Sequence, residues 1–286
     1  MNTETINDLI HILDLEKIEK NHYRATSPDE GWQRVYGGQV IGQALVAASR
    51  TVPEDRHAHS LHGYFLRPGD TTIPILYKVD RIRDGRSFTT RRVVAKQDGI
   101  AIFNTAVSFH CEEEGLSHQF SAPRVTPPEE LETDYDYWTR MAKEFPGRFD
   151  PPHAQTIERR PVKRRDYLSP QPQEPEQHIW IRALGELGND PRRHQTILAF
   201  MSDFALLGAA LLPHPYTSAD KRLQMASLDH TLWFHRPFRA DDYLLYCLDS
   251  PSASGGRGFS RGSFYTRDGA LVASTAQESL LRLRRD

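Results

Sequence analysis

Ile197-Leu198-Ala199-Phe200-Met201-Ser202-Asp203-Phe204-Ala205-Leu206-Leu207 is apolar at nearly every position of a helical period. A helix formed from it has almost no face to give to water and must be covered on most of its surface. Helix formers and apolar residues extend the expected helix over 191–212. Strand-like runs follow at 227–234, 243–248, 259–266 and 271–280, and Asp268-Gly269 supplies a hairpin turn because glycine accepts a positive φ. One helix followed by a long antiparallel meander predicts a curved sheet wrapped around a central helix.

The first half of the chain carries the same order of elements. Gly37-Gly38-Gln39-Val40 opens a stretch through Ala44, Leu45, Ala47 and Ala48 whose small side chains let a sheet wrap closely. Strand-like runs follow at 60–66, 75–82, 88–96 and 100–109, with turns at Asp84-Gly85 and Asp98-Gly99. Ordered matches at a period of about 170 residues join the halves. Phe65-Leu66-Arg67-Pro68 matches Phe234-His235-Arg236-Pro237, Gly85-Arg86-Ser87-Phe88 matches Gly256-Arg257-Gly258-Phe259, and Asp98-Gly99 with Thr105-Ala106 matches Asp268-Gly269 with Thr275-Ala276. Duplication explains them, and two such units can pair their sheets edge to edge. The expected fold is α+β, a double hotdog: an N-terminal copy over 1–115, a Pro-rich linker over 116–160 with a short helix around Trp138 and Met141, and a C-terminal copy over 161–286.

Composition limits the function. The chain has 286 residues, and 36 Lys+Arg against 38 Asp+Glu give a net charge of −2, so no global positive field favours nucleic acid. Cys111 and Cys247 stand far apart, which argues against a disulfide scaffold or a cysteine-rich zinc site and fits a reducing compartment. Ile6, Leu9, Ile10 and Leu13 read as a docking helix rather than a signal peptide, and no apolar run approaches the roughly 20 residues that span a bilayer. With Arg284-Arg285-Asp286 in place of a Ser-Lys-Leu address, the expectation is a cytoplasmic protein.

Two polar residues stand where the pattern asks for apolar ones. Asp203 falls inside the apolar helix, where an unpaired carboxylate costs on the order of several kcal/mol or becomes neutral. Gln277 shares a strand face with Leu271, Ala273 and Thr275, and its counterpart in the first copy is Val107. The polar group is therefore a property of the second copy.

Gly37-Gly38-Gln39-Val40, Tyr64-Phe65-Leu66-Arg67-Pro68-Gly69-Asp70, Asp229-His230 with Trp233-Phe234-His235-Arg236-Pro237, and Ala273-Ser274-Thr275-Ala276-Gln277-Glu278 strongly resemble the acyl-CoA thioesterase II (TesB-like) family over nearly the whole chain. The resemblance implies a double-hotdog enzyme that hydrolyses medium- and long-chain acyl-CoA, associates into dimers or tetramers, and needs no cofactor or metal. It carries catalysis to Asp203, Gln277 and a hydroxyl residue before the Asp-His pair, here Ser227 where the family has Thr. Ser keeps the hydroxyl but loses the methyl that restricts χ1. The implied mechanism is direct attack by a water that Asp203 activates, with backbone N–H groups near the start of the central helix facing the oxyanion.

Several other readings are weaker. Gly258-Phe259-Ser260-Arg261-Gly262 fits Gly-x-Ser-x-Gly, but strand rather than helix follows it, so Ser260 is expected to be an ordinary strand residue. His57, His59 and His62 lack a completing ligand and cannot all face one side of a strand, although His59 is a second acid/base candidate. Asp229 and His230, as strand neighbours, cannot pair with each other. A hotdog hydratase would place a His at position 208, where Gly208 stands; a silent acyl-CoA-binding module would bind without releasing CoA. Arg83, Arg86, Arg91 and the arginines of 159–165 are candidates for the CoA phosphates.

Overall fold

The computed structural model describes residues 5–28, 34–152 and 156–284. In chain order the elements are α1 (Ile6–Leu13), β1 (Glu16–Glu19), β2 (His22–Ala25), α2 (Gly37–Ser49), β3 (His57–Phe65), β4 (Ile75–Asp84), β5 (Phe88–Gln97), β6 (Ile100–His110), α3 (Asp134–Glu144), β7 (Ile157–Pro161), β8 (Glu176–Ala183), α4 (Pro191–Ser202), α5 (Leu206–Ala209), β9 (Leu223–Ser227), β10 (Asp229–Phe234), β11 (Leu244–Ser254), β12 (Arg257–Thr266) and β13 (Leu271–Leu283).

The strands form one sheet in the order β1-β2-β4-β5-β6-β3-β10-β13-β12-β11-β8-β7, with β9 added beside β13. That order reads alike from either end: β3 corresponds to β10, β4 to β11, β5 to β12 and β6 to β13. The copies join where β3 pairs antiparallel with β10, Leu61 opposite Leu232. Period-2 alternation in both strands buries Leu61 and Leu232 completely. The architecture is the expected α+β double hotdog, with a central helix in each copy. The strand reading missed β1, β2, β7, β8 and all but the last residue of β9, which are short or lie outside the clear alternating runs.

The central helices touch each other directly. A Cβ on Gly38 would collide with the Phe200 carbonyl, and one on Gly42 would lie 3.5 Å from the Thr196 carbonyl. Arg192 Nη1 donates to the Ser49 carbonyl at 3.3 Å. These contacts pair the start of α2 with the end of α4, so the helices run antiparallel. The small residues of α2 thus serve the helix contact as well as the wrapping sheet.

The expected helix over 191–212 is shorter than its apolar pattern. α4 ends at Ser202 with Asp203 as its C-cap, and Ala205 sits at φ 66° before the single turn of α5. The end is set by distant groups. Tyr36 Oη donates to the Phe200 carbonyl at 3.1 Å and Tyr246 Oη donates to the Ser202 carbonyl at 2.7 Å. Both accept in place of the next helical turn. Asp203 is therefore a terminal residue, not an interior helical one.

Candidate active site

Because α4 stops at Ser202, Asp203 projects toward the first residues of α2. Gly37 makes room, since a Cβ there would stand 2.5 Å from Asp203 Oδ2. Asp203 as a whole is partly buried, one side opening to a cleft, while its Oδ1 is shut off from solvent and has no hydrogen-bond partner. Burial raises its pKa above the ordinary Asp value. His230 nearby, the Gly38 N–H and the Ser227 hydroxyl act the other way and favour the charged form.

Ser227 and Gln277 meet at the same place. The expected strand over 227–234 is interrupted at Leu228, whose N–H donates to the Glu278 carbonyl at 2.9 Å and whose carbonyl accepts from the Phe65 N–H at 2.9 Å. Ser227, the last residue of β9, thereby lies beside β13, and Gln277 Nε2 donates to Ser227 Oγ at 2.9 Å. Gln277 also donates to Ser279 Oγ at 3.1 Å. The structure thus brings Asp203, Ser227 and Gln277 together, with Ser227 between the other two.

Sequence reasoning passed over His230. Treated as half of a pair with Asp229, it was set aside; its partners are elsewhere. His230 is completely buried, its Nδ1 lies 2.9 Å from Gln277 Oε1 and its Nε2 lies 2.8 Å from Ser202 Oγ. Burial lowers its pKa, against the pull of Asp203 and the Gln277 hydrogen bond. Asp229 on the other face accepts from the Glu278 N–H at 2.6 Å. The available signal was the period: His230 shares its face with Leu232 and Phe234, and a buried His requires partners. The corresponding first-copy positions are Leu61 and Val107, both fully buried and apolar.

The cleft in front of Asp203 holds about 340 Å³. Val40, Phe65, Ile102, Phe103, Met225 and Leu228 give it an apolar wall, and the exposed Arg34 and Arg67 also line it, with Arg67 Nη1 donating to the Ala101 carbonyl at 2.9 Å. None of the arginines expected for the CoA phosphates lines this cleft. Arg91 is fully buried and bound by Asp84 and Thr51; Arg159 and Arg164 are held by Asp134; Arg165 donates to the Leu211 and His214 carbonyls. His59 pairs with Ser108 Oγ at 2.8 Å and does not reach the cleft. Ser260 lies in β12 opposite Gln277, and its buried Oγ lacks a hydrogen-bond partner. No base activates it.

A family model described as acyl-CoA thioesterase matches residues 151–280, and one described as the acyl-CoA thioesterase N-terminal domain matches residues 28–110. The chain is 43% identical to human acyl-coenzyme A thioesterase 8, over 96% of this chain and 88% of that protein. The chain belongs to the acyl-CoA thioesterase II (TesB-like) family. It is an acyl-CoA thioester hydrolase. Acyl-CoA thioesterase 2 of Haemophilus influenzae is 38% identical over 98% of this thioesterase and 99% of its own length. The crystal structure of the acyl-CoA thioesterase II TesB2 from Mycobacterium marinum superposes with a TM-score of 0.79 at 43% identity, over 96% of this chain and 97% of that one. Among the described residues, no helix of the thioesterase is long and apolar enough to cross a membrane.

Proposed function

We propose that this thioesterase hydrolyses medium- to long-chain fatty acyl-CoA by direct attack of water, with Asp203 as general base and Ser227 and Gln277 as its partners. The observation that carries the reading is the Asp203 carboxylate, which lines an apolar cleft and has one buried oxygen without a hydrogen-bond partner. A carboxylate so placed accepts a proton from water as the water oxygen adds to the thioester carbonyl. When the C–S bond breaks, the proton passes to the CoA thiolate and Asp203 is again a carboxylate. The first turn of α2 brings the Gly38 N–H to Asp203, and the positive end of this helix suits the oxyanion that develops beside it.

The exposed guanidinium groups of Arg34 and Arg67 fit the CoA phosphates, and the apolar wall fits the acyl chain. The same reading assigns 1–115 and 161–286 to the two copies and 116–160 to their linker, with β7 crossing the second boundary as an edge strand. It takes no cofactor or metal and places the enzyme in the cytoplasm as a dimer or tetramer. Measuring thiol release from acyl-CoAs of increasing chain length tests the substrate range, and medium and long chains should give the highest kcat/KM. Direct attack predicts that fatty acid and CoA appear together; a burst of CoA ahead of fatty acid would establish an acyl-enzyme.

A further inference from the structure

We propose that His230 is a positioning residue for hydrolysis, acting through Gln277 on the Ser227 hydroxyl and so on Asp203. The inference rests on the assignment of Asp203, Ser227 and Gln277 given above. Gln277 Oε1 can only accept, so His230 Nδ1 carries the proton between them, at 2.9 Å. His230 Nε2 is then unprotonated and faces the Ser202 hydroxyl at 2.8 Å, a hydroxyl that also lies 2.9 Å from the Ala199 carbonyl. A neutral imidazole protonated at Nδ1 satisfies the Gln277 contact, in keeping with the downward pull of burial on its pKa.

The direction of the next bonds follows from this orientation. With its oxygen held by His230, the Gln277 amide turns its NH2 to Ser227 Oγ at 2.9 Å and Ser279 Oγ at 3.1 Å. A lone pair of Ser227 is then committed to Gln277, and its proton is available to the Asp203 carboxylate, which it favours in the charged form. Ser202, at the other end of the chain, precedes Asp203 on α4. His230, completely buried, fixes which end of the amide faces the site. At the corresponding places in the first copy, Leu61 and Val107 leave no such chain.

Two substitutions separate positioning from packing. Asn at this position keeps a donor where Nδ1 stood, whereas Gln keeps a polar atom nearer Nε2. His230→Asn should hold kcat within about fivefold of the parent, and His230→Gln should lower kcat by about fiftyfold with KM within threefold. Introduced into Gln277→Ala, the two should differ by less than about twofold, because the group they orient is gone. Equal kcat for the two variants in the parent background would overturn the inference, as would an undiminished difference in Gln277→Ala. If Gln277→Ala alone were fully active, the site assignment would fail and this inference with it. If Gln277→Ala is impaired and both His230 variants are active, only the inference fails. Circular dichroism and Tm of each variant establish folding before the comparison.

Discussion

Gly37 on the helix of one copy leaves the space that Asp203 at the end of the helix of the other occupies: a Cβ on Gly37 would stand 2.5 Å from Asp203 Oδ2, a clash. The site is therefore assembled across the seam between the copies. Gly37→Ala should displace the carboxylate and lower kcat by at least about tenfold. Gly208→Ala, where a Cβ meets nothing within 4 Å, is the control and should keep full activity. Thiol-release assays on both proteins, folded by circular dichroism, check this; an unimpaired Gly37→Ala would show that the carboxylate has room to spare.

Asp203→Asn keeps the shape and removes the base, so kcat should fall by about a hundredfold or more with little change in acyl-CoA binding. Stability should move oppositely with pH. Burial raises the Asp203 pKa in the folded protein, so between the ordinary Asp value and that raised value the folded state holds the extra proton. The stabilisation from Asp203 protonation is complete below the unfolded pKa and is lost as pH rises through the folded one. Asp203→Asn should therefore gain Tm relative to the parent at neutral pH, and the gain should shrink on acidification. A difference in Tm independent of pH would contradict the raised pKa. The acid limb of kcat/KM in the parent should likewise lie above the ordinary Asp range.

Ser260→Ala should leave kcat within a few-fold of the parent and Tm unchanged or higher. The buried Ser260 hydroxyl has no hydrogen-bond partner, so its removal ends a desolvation cost of about 1–3 kcal/mol without disrupting a catalytic chain. A fluorophosphonate should not label the enzyme. Labelling at Ser260, or a thousandfold loss of activity with folding intact, would restore a serine nucleophile.

Much of this is legible in the sequence. Apolar alternation is a local property, and it located β4, β5, β6, β12 and most of β13 to within a few residues. Asp203, Gln277 and Ser227 stand out as an out-of-place carboxylate, an amide in the place of Val107 and a member of the family motif. The illegible parts depend on contacts distant in sequence. Nothing between Pro191 and Leu212 resembles a helix stop; α4 ends because Tyr36 and Tyr246 satisfy its last carbonyls from 164 and 44 residues away. Arg91 is a candidate for the CoA phosphates by sequence, but the fold encloses it against Thr51 and Asp84. Arg34 shows no distinguishing pattern in sequence, and Arg67 stands in a repeated motif that carries no sign of phosphate binding; both become interesting only once they line the same cleft as Asp203.

That placement has its own consequence. CoA is polyanionic, and exposed guanidinium groups assist its capture without touching the reacting carbonyl. Arg34→Ala and Arg67→Ala should each raise KM by several-fold and leave kcat within about twofold, and the loss should diminish as salt screens the parent enzyme. Arg83→Ala, on the hairpin end of β4 and outside the cleft, should leave KM unchanged. A KM that responds to Arg83 but to neither Arg34 nor Arg67 would move the CoA site.

Ser227 and Gln277 should fail together rather than separately. Gln277 Nε2 donates to Ser227 Oγ, and the Ser227 hydroxyl in turn favours the charged form of Asp203. Removing either member interrupts one chain of donors ending at the base, so Ser227→Ala and Gln277→Ala should each lower kcat by about ten- to a hundredfold. The double variant should lose much less than the product of the two, because the second substitution breaks a chain already broken. Ser227→Thr preserves the hydroxyl and restricts χ1, so it should retain activity near the parent. Multiplicative losses in the double variant would mean that the two residues serve different steps, and Asp203 would then need another explanation for how its charge is held in so enclosed a place.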